Sequence, residues 1–272
     1  MRANGGGWPH CNNGGVGDGS LTFAVPVRDS RGVDDWATVK GLVSLTIRSL
    51  AAQQGPRPGI VLGVSPGTDL PTLPPGVDVV EVDLPFAPLP EGEGPARWEA
   101  IRADKGLRLA HALAAVRPQG HVMVVDFDDL VSSRLTPLVA GDPDAAGWFV
   151  DSGYLWDGGP FASAKATGFN EVCGSSMIIR ADLLRLPEDP SDPAHLDWIK
   201  TILGSHKAWR DHFPLAQLSF PGAVYRVGAG HNVSGAEGIL RRLSYAVRRP
   251  RELPAVLGAL RPWVTIRGGF GV

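Results

Sequence analysis

The chain has 272 residues, 26 Lys+Arg against 28 Asp+Glu for a net charge of −2, and 43% hydrophobic residues. That is enough apolar material for a sizeable core, and enough length for one large α/β domain or two small ones at roughly 100–200 residues each. The near balance of charge argues against nucleic acid as a partner of the whole surface. The 35 Gly and 24 Pro are many, yet stay below the combined share of roughly 25–30% at which low-complexity disorder becomes the default.

No stretch approaches the ~18–20 uninterrupted apolar residues of a membrane span, and the N-terminus lacks the basic-then-apolar design of a secretory signal. A soluble cytoplasmic protein is therefore expected. Cys11 and Cys173 form no CxxC and no disulfide framework, which disfavours a stapled secreted fold and a structural zinc site. The Asn232-Val233-Ser234 sequon then reads as an accident.

Charge is uneven along the chain. Residues 240–272 hold seven Arg and one Glu, leaving the rest acidic. Such a tail could touch anionic lipid, a phosphate or an acidic partner, and its plainer reading is a solvated Arg-rich helix. Peripheral contact with the inner face of a membrane is thus one expected partnership. Residues 1–20, with seven Gly and few apolar residues, cannot bury enough surface to offset ordering entropy and read as a disordered leader. Their glycines do not spell GxGxxG. The expected organisation is a leader at 1–20, a domain at 21–235 and a basic helical tail at 236–272.

In chain order, Leu21–Val27 (LTFAVPV) reads as a short apolar strand. Trp36, Val39, Leu42, Val43 and Leu50 follow at helical spacing behind Asp34 and Asp35 as cap candidates. Ile60–Val64 and Val77–Val82 read as strands, and Trp98–Val116 as a helix with Ile101, Leu107, Leu109, Ala110 and Leu113 on its apolar face. His121–Asp126 is apolar almost throughout, as a central strand covered on both faces should be. This alternation predicts an α/β fold with an open, largely parallel sheet. Later the pattern loosens into a half of mixed topology: strands at Gly147–Val150, Ser176–Ile179 and Ala223–Val227, short helices at Leu196–Leu203 and Lys207–Phe213, and terminal helices at Glu237–Val247 and Leu253–Leu260.

The most informative segment is VMVVDFDDLVSSRL, where an apolar strand runs into Asp126, Asp128 and Asp129. Carboxylates so close repel one another, and Asp126 and Asp128 point the same way on an extended chain, so a held cation would repay their proximity. Ligand crevices of open α/β sheets lie outside the carboxyl ends of the strands. A hard ion, Mg²⁺ or Mn²⁺, shared with nucleotide phosphates fits these ligands. An acidic turn capping the next helix through Asp129 or Ser132 is the plainer alternative.

Two families place acids after a buried strand. Asp126-Phe127-Asp128 superficially resembles the DxDxT nucleophile motif of haloacid-dehalogenase-type phosphatases, but Leu130 stands where the threonine should be, and about 100 residues precede a motif that normally opens that domain. Over residues 21–235 the chain more closely resembles nucleotide-sugar glycosyltransferases of the GT-A fold, similar to glycosyltransferase family 2. TFAVPVR is similar to that family's opening strand, LTIRSLAAQ to its next helix, ADKGLRLAHAL to its basic segment near the nucleotide, and VVDFDD to its DxD signature.

The resemblance implies a GT-A-like fold and transfer of a hexose from a nucleotide-sugar, foremost a UDP-sugar, to a hydroxyl of a glycan or glycolipid. It implies donor contacts at Val27, Arg28, Asp104, Lys105 and Asp126, and at Gly174 and Ser175 of the CGSSMIIR segment. Metal ligation by Asp126 and Asp128 follows, with Asp129 orienting the site or acceptor. A lysine at 105 is sensible as a point charge on phosphate. The chain departs from the family at GVSPGTDLP, which replaces the usual acidic base-reading segment and leaves Ser65 or Asp69 for that task. It also lacks the downstream Glu-Asp motif that supplies the family's acceptor base and the Gln-x-x-Arg-Trp motif of processive synthases, which argues against a processive polysaccharide synthase.

Where the family's base should fall, the chain reads LGSHKAWRDHF. His206, in the first turn of a helix, would have its protonated form disfavoured, which suits a neutral base. Asp211 is the other candidate to deprotonate an acceptor. His231, among glycines after the last strand, matches the position of a third, histidine metal ligand in many GT-A enzymes, and mixed carboxylate and imidazole ligation suits Mn²⁺. Trp148, Tyr154 and Trp156 could form a sugar platform or simply core. A non-catalytic GT-A relic that binds a nucleotide-sugar is the third reading.

Overall fold

The structure, a computed structural model, describes residues 20–92, 94–228, 239, 244, 247–249 and 251–272. Residues 1–19, and with them Cys11 and nearly all of the expected leader, lie outside that set, as do His231, the sequon and most of the expected helix at 237–247.

The first strand, β1 (Leu21–Pro26), is buried along its whole length. Phe23 and Val25 enter one core layer while Ala24 enters the other, the two-residue period of a strand covered on both faces. Helix α1 (Trp36–Ala51) starts at Asp35, whose carboxylate accepts from Thr38 N–H (3.0 Å) and Thr38 Oγ1 (2.5 Å), so the second of the two candidate caps is the one used. Strands β2 (Gly59–Val64) and β3 (Val77–Glu81) follow in parallel.

Helix α2 (Pro95–Val116) begins three residues before the expected Trp98, because Pro95 takes the first helical position, where no N–H is needed. It lies close on β2: a Cβ at Gly63 would come within 2.8 Å of the Arg108 carbonyl, so only glycine lets the helix backbone approach this near.

Strand β4 (His121–Val124) returns on the other side of β1 and leads into β5 (Leu130–Val131) and helix α3 (Leu135–Gly141). The remaining strands are β6 (Gly147–Phe149), β7 (Gly153–Trp156), β8 (Phe161–Lys165), β9 (Met177–Arg180), β10 (Ala216–Gln217), β11 (Ala223–Arg226) and β12 (Leu260–Pro262). Among the described residues they make two mixed sheets, with seven α-helical segments around them.

The larger sheet has the order β10-β6-β9-β4-β1-β2-β3. Its β4-β1-β2-β3 half is parallel, as expected, while β9 runs antiparallel to both β4 and β6. Helix α1 packs its Val43, Ile47 and Leu50 on one face and α2 its Leu109 and Leu113 on the other, each such fully buried side chain contributing about 1.5–3 kcal/mol.

The second sheet, β12-β8-β7-β11-β5, is absent from the expected single-sheet architecture. Leu155, Ala223 and Tyr225 face the main core, while Trp156, Ala162 and Val224 face a small cluster closed by Phe270. The expected terminal helix at Leu253–Leu260 is present as Leu253–Ala259, and the residues after it return to the fold. After the helix Leu253–Ala259 the chain pairs β12 with β8 in antiparallel register, Leu260 opposite Ser163 and Pro262 opposite Phe161. It then stacks Trp263 on Trp156 at 3.9 Å and buries Phe270.

Candidate functional site

The chain visits β1, β2 and β3 in order along one edge, then crosses back to place β4 on the other side of β1. Strand order reverses between β1 and β4, and the crevice beyond the carboxyl ends at such a point is where open α/β sheets bind ligands. Val27, Arg28 and Asp29 leave β1 there, and Asp126, Asp128 and Asp129 leave β4. The Val27 N–H still donates to the Gly63 carbonyl (2.9 Å), so the register holds up to the last residue before Arg28.

Asp126 is part-exposed, and its Oδ1 receives Lys105 Nζ at 2.5 Å. Asp128 is buried and accepts no hydrogen bond from another described side chain. Burial and the neighbouring Asp126 charge raise its carboxyl to about 7, against the pull of Lys105 and Arg226. Arg28, half-buried, is pushed down by burial and by Arg97 and drawn up by Asp104 and Asp128, which puts a guanidinium from β1 across the crevice from the β4 acids.

Asp129 is fully buried and serves as a hub. Its Oδ1 accepts from the Arg226 backbone N–H (3.1 Å), and its Oδ2 accepts from Ser175 Oγ (2.6 Å) and Cys173 Sγ (3.3 Å). Ser175 Oγ in turn accepts the Asp126 N–H (2.8 Å). One carboxyl group thus ties together the end of β4, the loop before β9 and the end of β11. Burial, then Asp128 and Asp126, hold it well above the usual carboxylate range. Asp129 and Ser175 are thus enclosed, and their bonds hold these segments together from within. Gly174 is a close approach: a Cβ there would overlap Asp126 Oδ2 and sit 3.1 Å from Lys105 Nζ, so the loop backbone borders the carboxylate directly.

His206 reaches the same place by a local irregularity. Residues Ile199–Leu203 form a π turn closed by Gly204 N–H donating to the Ile199 carbonyl (2.9 Å). Gly106 and Gly204 let this turn press against α2 with no room for side chains. His206 follows two residues later, and its ring is pushed down to about 4, chiefly by burial and then by Lys105, with Asp126 and a bond to the Glu171 backbone opposing. Its Nε2 is buried without a hydrogen-bond partner. An imidazole whose Nε2 has no hydrogen-bond partner among the described residues therefore lies within the field of Asp126 and Lys105. Asp211 is exposed on the short helix Trp209–His212 and is not among the principal charges acting on His206, Asp128 or Asp129.

Asp104 faces Arg108, whose Nε and Nη2 donate to it at 2.9–3.1 Å. Arg108 is almost completely buried, and its Nη1 donates to Ser65 Oγ (2.9 Å), which donates to Asp29 Oδ2 (2.8 Å). This chain braces α2 against the ends of β1 and β2. Asp69, the other base-reading candidate, pairs with Lys40 at the surface (2.7 Å).

Sequence reasoning passed over Arg108 and Arg226. A charged residue on the otherwise apolar stripe of α2 was the available signal for the first. Trp148, Tyr154 and Trp156 are packed against His121, Phe270 and Trp263 respectively, as core and not as a platform.

Among the described residues no three His, Cys, Asp or Glu side chains form a ready metal-binding group. The donor set nevertheless suits a hard cation at the Asp126 and Asp128 pair, because Asp128 is a buried carboxyl that receives its own backbone N–H and no side-chain donor among the described residues, beside a second carboxylate. His231, the expected third ligand, lies outside the described residues. Compared with known proteins, the chain matches no family model and no curated relative.

Proposed function

We propose that the protein is a metal-dependent glycosyltransferase of GT-A type, moving a hexose from a nucleotide-sugar, foremost a UDP-sugar, to a hydroxyl of a glycan or glycolipid. The observation that carries this reading is the crevice between the ends of β1 and β4. There a buried carboxyl and its part-exposed neighbour, Asp128 and Asp126, face two cations, Lys105 and Arg28. Two carboxyl groups and two cations at a strand-order reversal suit a diphosphate and its counter-ion better than an uncharged ligand.

Asp126 and Asp128 would hold Mn²⁺ or Mg²⁺, which supplies charge neutralisation to a departing diphosphate. Lys105 would exchange its contact with Asp126 for a phosphate oxygen, and Arg28 would hold the outer phosphate or ribose. Gly174 would let the loop backbone lie along the sugar. As the anomeric carbon gains oxocarbenium character, His206 would accept the proton of the incoming hydroxyl if the transfer inverts configuration. Asp129 and Ser175 position these groups and do not touch substrate.

Calorimetric titration of UDP and GDP, with and without Mn²⁺, on the wild type and Asp128→Ala tests the reading. Mn²⁺-dependent UDP binding lost in the variant supports it. Absence of nucleotide binding in every condition overturns it. A covalent aspartyl-phosphate on Asp126 from a generic phosphate ester would assign the site to phosphatase chemistry instead.

A further inference from the structure

The C-terminal segment combines two properties that ordinary surfaces keep apart. Among the described residues, the three most exposed large apolar side chains are Val264 (68%), Val247 (63%) and Leu257 (52%). The next is Phe161 (45%), opposite Pro262 in the β8–β12 ladder. The remaining exposed large apolar residues, Val79, Phe86, Trp98 and Val172, are scattered along the chain and less exposed. Single exposed apolar residues are ordinary; here the three most exposed fall within one short stretch of the chain, with Phe161 paired beside it.

The same segment is strongly basic. Arg248, Arg249, Arg251, Arg261 and Arg267 stand against Glu252 alone. Arg249 pairs with Glu252 (3.2 Å), and Arg261 donates to the Gly258 and Leu260 carbonyls (2.7 and 2.8 Å). Arg248, Arg251 and Arg267 are exposed and have no acidic partner among the described residues. The rest of the chain is acidic, so a negatively charged plane would repel the body and draw this edge toward itself.

Beneath the helix Leu253–Ala259 a half-open groove of about 220 Å³ runs between Leu155, Val256, Ala259 and Leu260, with Ser163 and Lys165 supplying its polar groups. Aliphatic side chains gain by entering the headgroup–acyl boundary and gain nothing on a phosphodiester backbone. Arginines interleaved with them take up anionic headgroups.

We propose that residues 247–249 and 251–267, with Phe161 beside them, dock the protein on an anionic bilayer surface. The proposal does not depend on the glycosyltransferase reading, since the binding needs neither nucleotide nor metal. Co-sedimentation of the full chain with phosphatidylcholine vesicles, with and without about one-third phosphatidylglycerol, reads it directly. Pelleting is expected only with phosphatidylglycerol and is expected to fade in about 0.5 M salt.

Arg248→Gln, Arg251→Gln and Arg267→Gln together should weaken partitioning about 100-fold, at roughly fivefold per arginine. Leu257→Asp with Val264→Asp should abolish it, while circular dichroism and the melting temperature remain those of wild type, because these four positions and Val264 are exposed. No pelleting on the anionic vesicles, equal pelleting on pure phosphatidylcholine, or variants that bind like wild type would each overturn the proposal.

Discussion

Lys105 Nζ and Asp126 Oδ1 lie 2.5 Å apart, so the most accessible carboxylate of the acidic cluster already holds a cation from α2. A divalent ion and a phosphate would have to divide this pair, the ion taking the carboxylate and the phosphate the ammonium. Lys105→Met should therefore move two affinities in opposite directions. Binding of Mn²⁺ alone should tighten several-fold, because a competing charge is gone, and Mn²⁺-dependent UDP binding should weaken by about tenfold or more, at roughly 1.4 kcal/mol per decade. Titration of free Mn²⁺ by its paramagnetic signal, then of UDP by calorimetry, separates the two. Loss of both together would show that Lys105 merely supports the fold.

Gly174→Ala attacks the same place from the loop. The added methyl would overlap Asp126 Oδ2 without removing any buried apolar group. Nucleotide binding should drop at least tenfold while the unfolding midpoint changes little, within about 1 kcal/mol. A large loss of stability with binding intact would place the strain elsewhere.

Asp129 is a stability prediction. Asp129→Ala leaves the Arg226 N–H and Ser175 Oγ without their acceptor in a sealed interior, which should cost about 3 kcal/mol or more. Asp129→Asn keeps the shape and one acceptor and should cost closer to 1 kcal/mol. Denaturant unfolding of the two variants checks the order. The reverse order would mean that the charge matters more than the bonds.

The acids and His206 make opposite contributions to the pH dependence. Asp128, raised to about 7, keeps a proton in the folded state that the unfolded chain releases above about pH 4. Its favourable contribution is therefore complete at low pH and is lost as pH rises from about 4 to 7. His206, pushed down to about 4, stays neutral when folded while the unfolded ring is protonated below about 6.5. Its contribution is complete above that value and is lost as pH falls toward 4. Asp128→Asn should thus gain on wild type steadily between about pH 4 and 7, by a few kcal/mol at most, and level off above. Urea unfolding at several pH values in chelator reads the gap. A gap constant with pH would mean that Asp128 titrates normally.

How much of this was legible in the sequence follows from which forces are local. Phe23, Val25 and Met123 sit in continuous apolar runs, so β1 and β4 announce themselves, and with them the place where Asp126 and Asp128 emerge. Asp34 and Asp35 mark the start of α1 to within a residue by cap chemistry alone. The second sheet was not legible, because β5 and β12 are two and three residues long and exist only through partners distant in sequence. His206 was visible as a candidate, but its burial beside Lys105 depends on the π turn before it, which no periodicity encodes. Arg108 illustrates the opposite failure: it interrupts an apolar stripe, and only the tertiary arrangement supplies Ser65 and Asp104 to satisfy it. The hub role of Asp129 likewise required Cys173, Ser175 and Arg226 to arrive from two other segments.

The register of Pro262 opposite Phe161 has a bearing on how the chain acquires its shape during synthesis. The edge of β8 must wait for roughly a hundred further residues to emerge before its partner exists, and Trp156 waits equally long for the ring of Trp263 to cover it. Contacts of such separation form late. Until then the nascent chain presents an unpaired strand edge next to a bare indole, the combination most prone to intermolecular pairing. Yield of soluble protein should accordingly be more sensitive to changes at Trp263 and Phe270 than the stability of the finished molecule is.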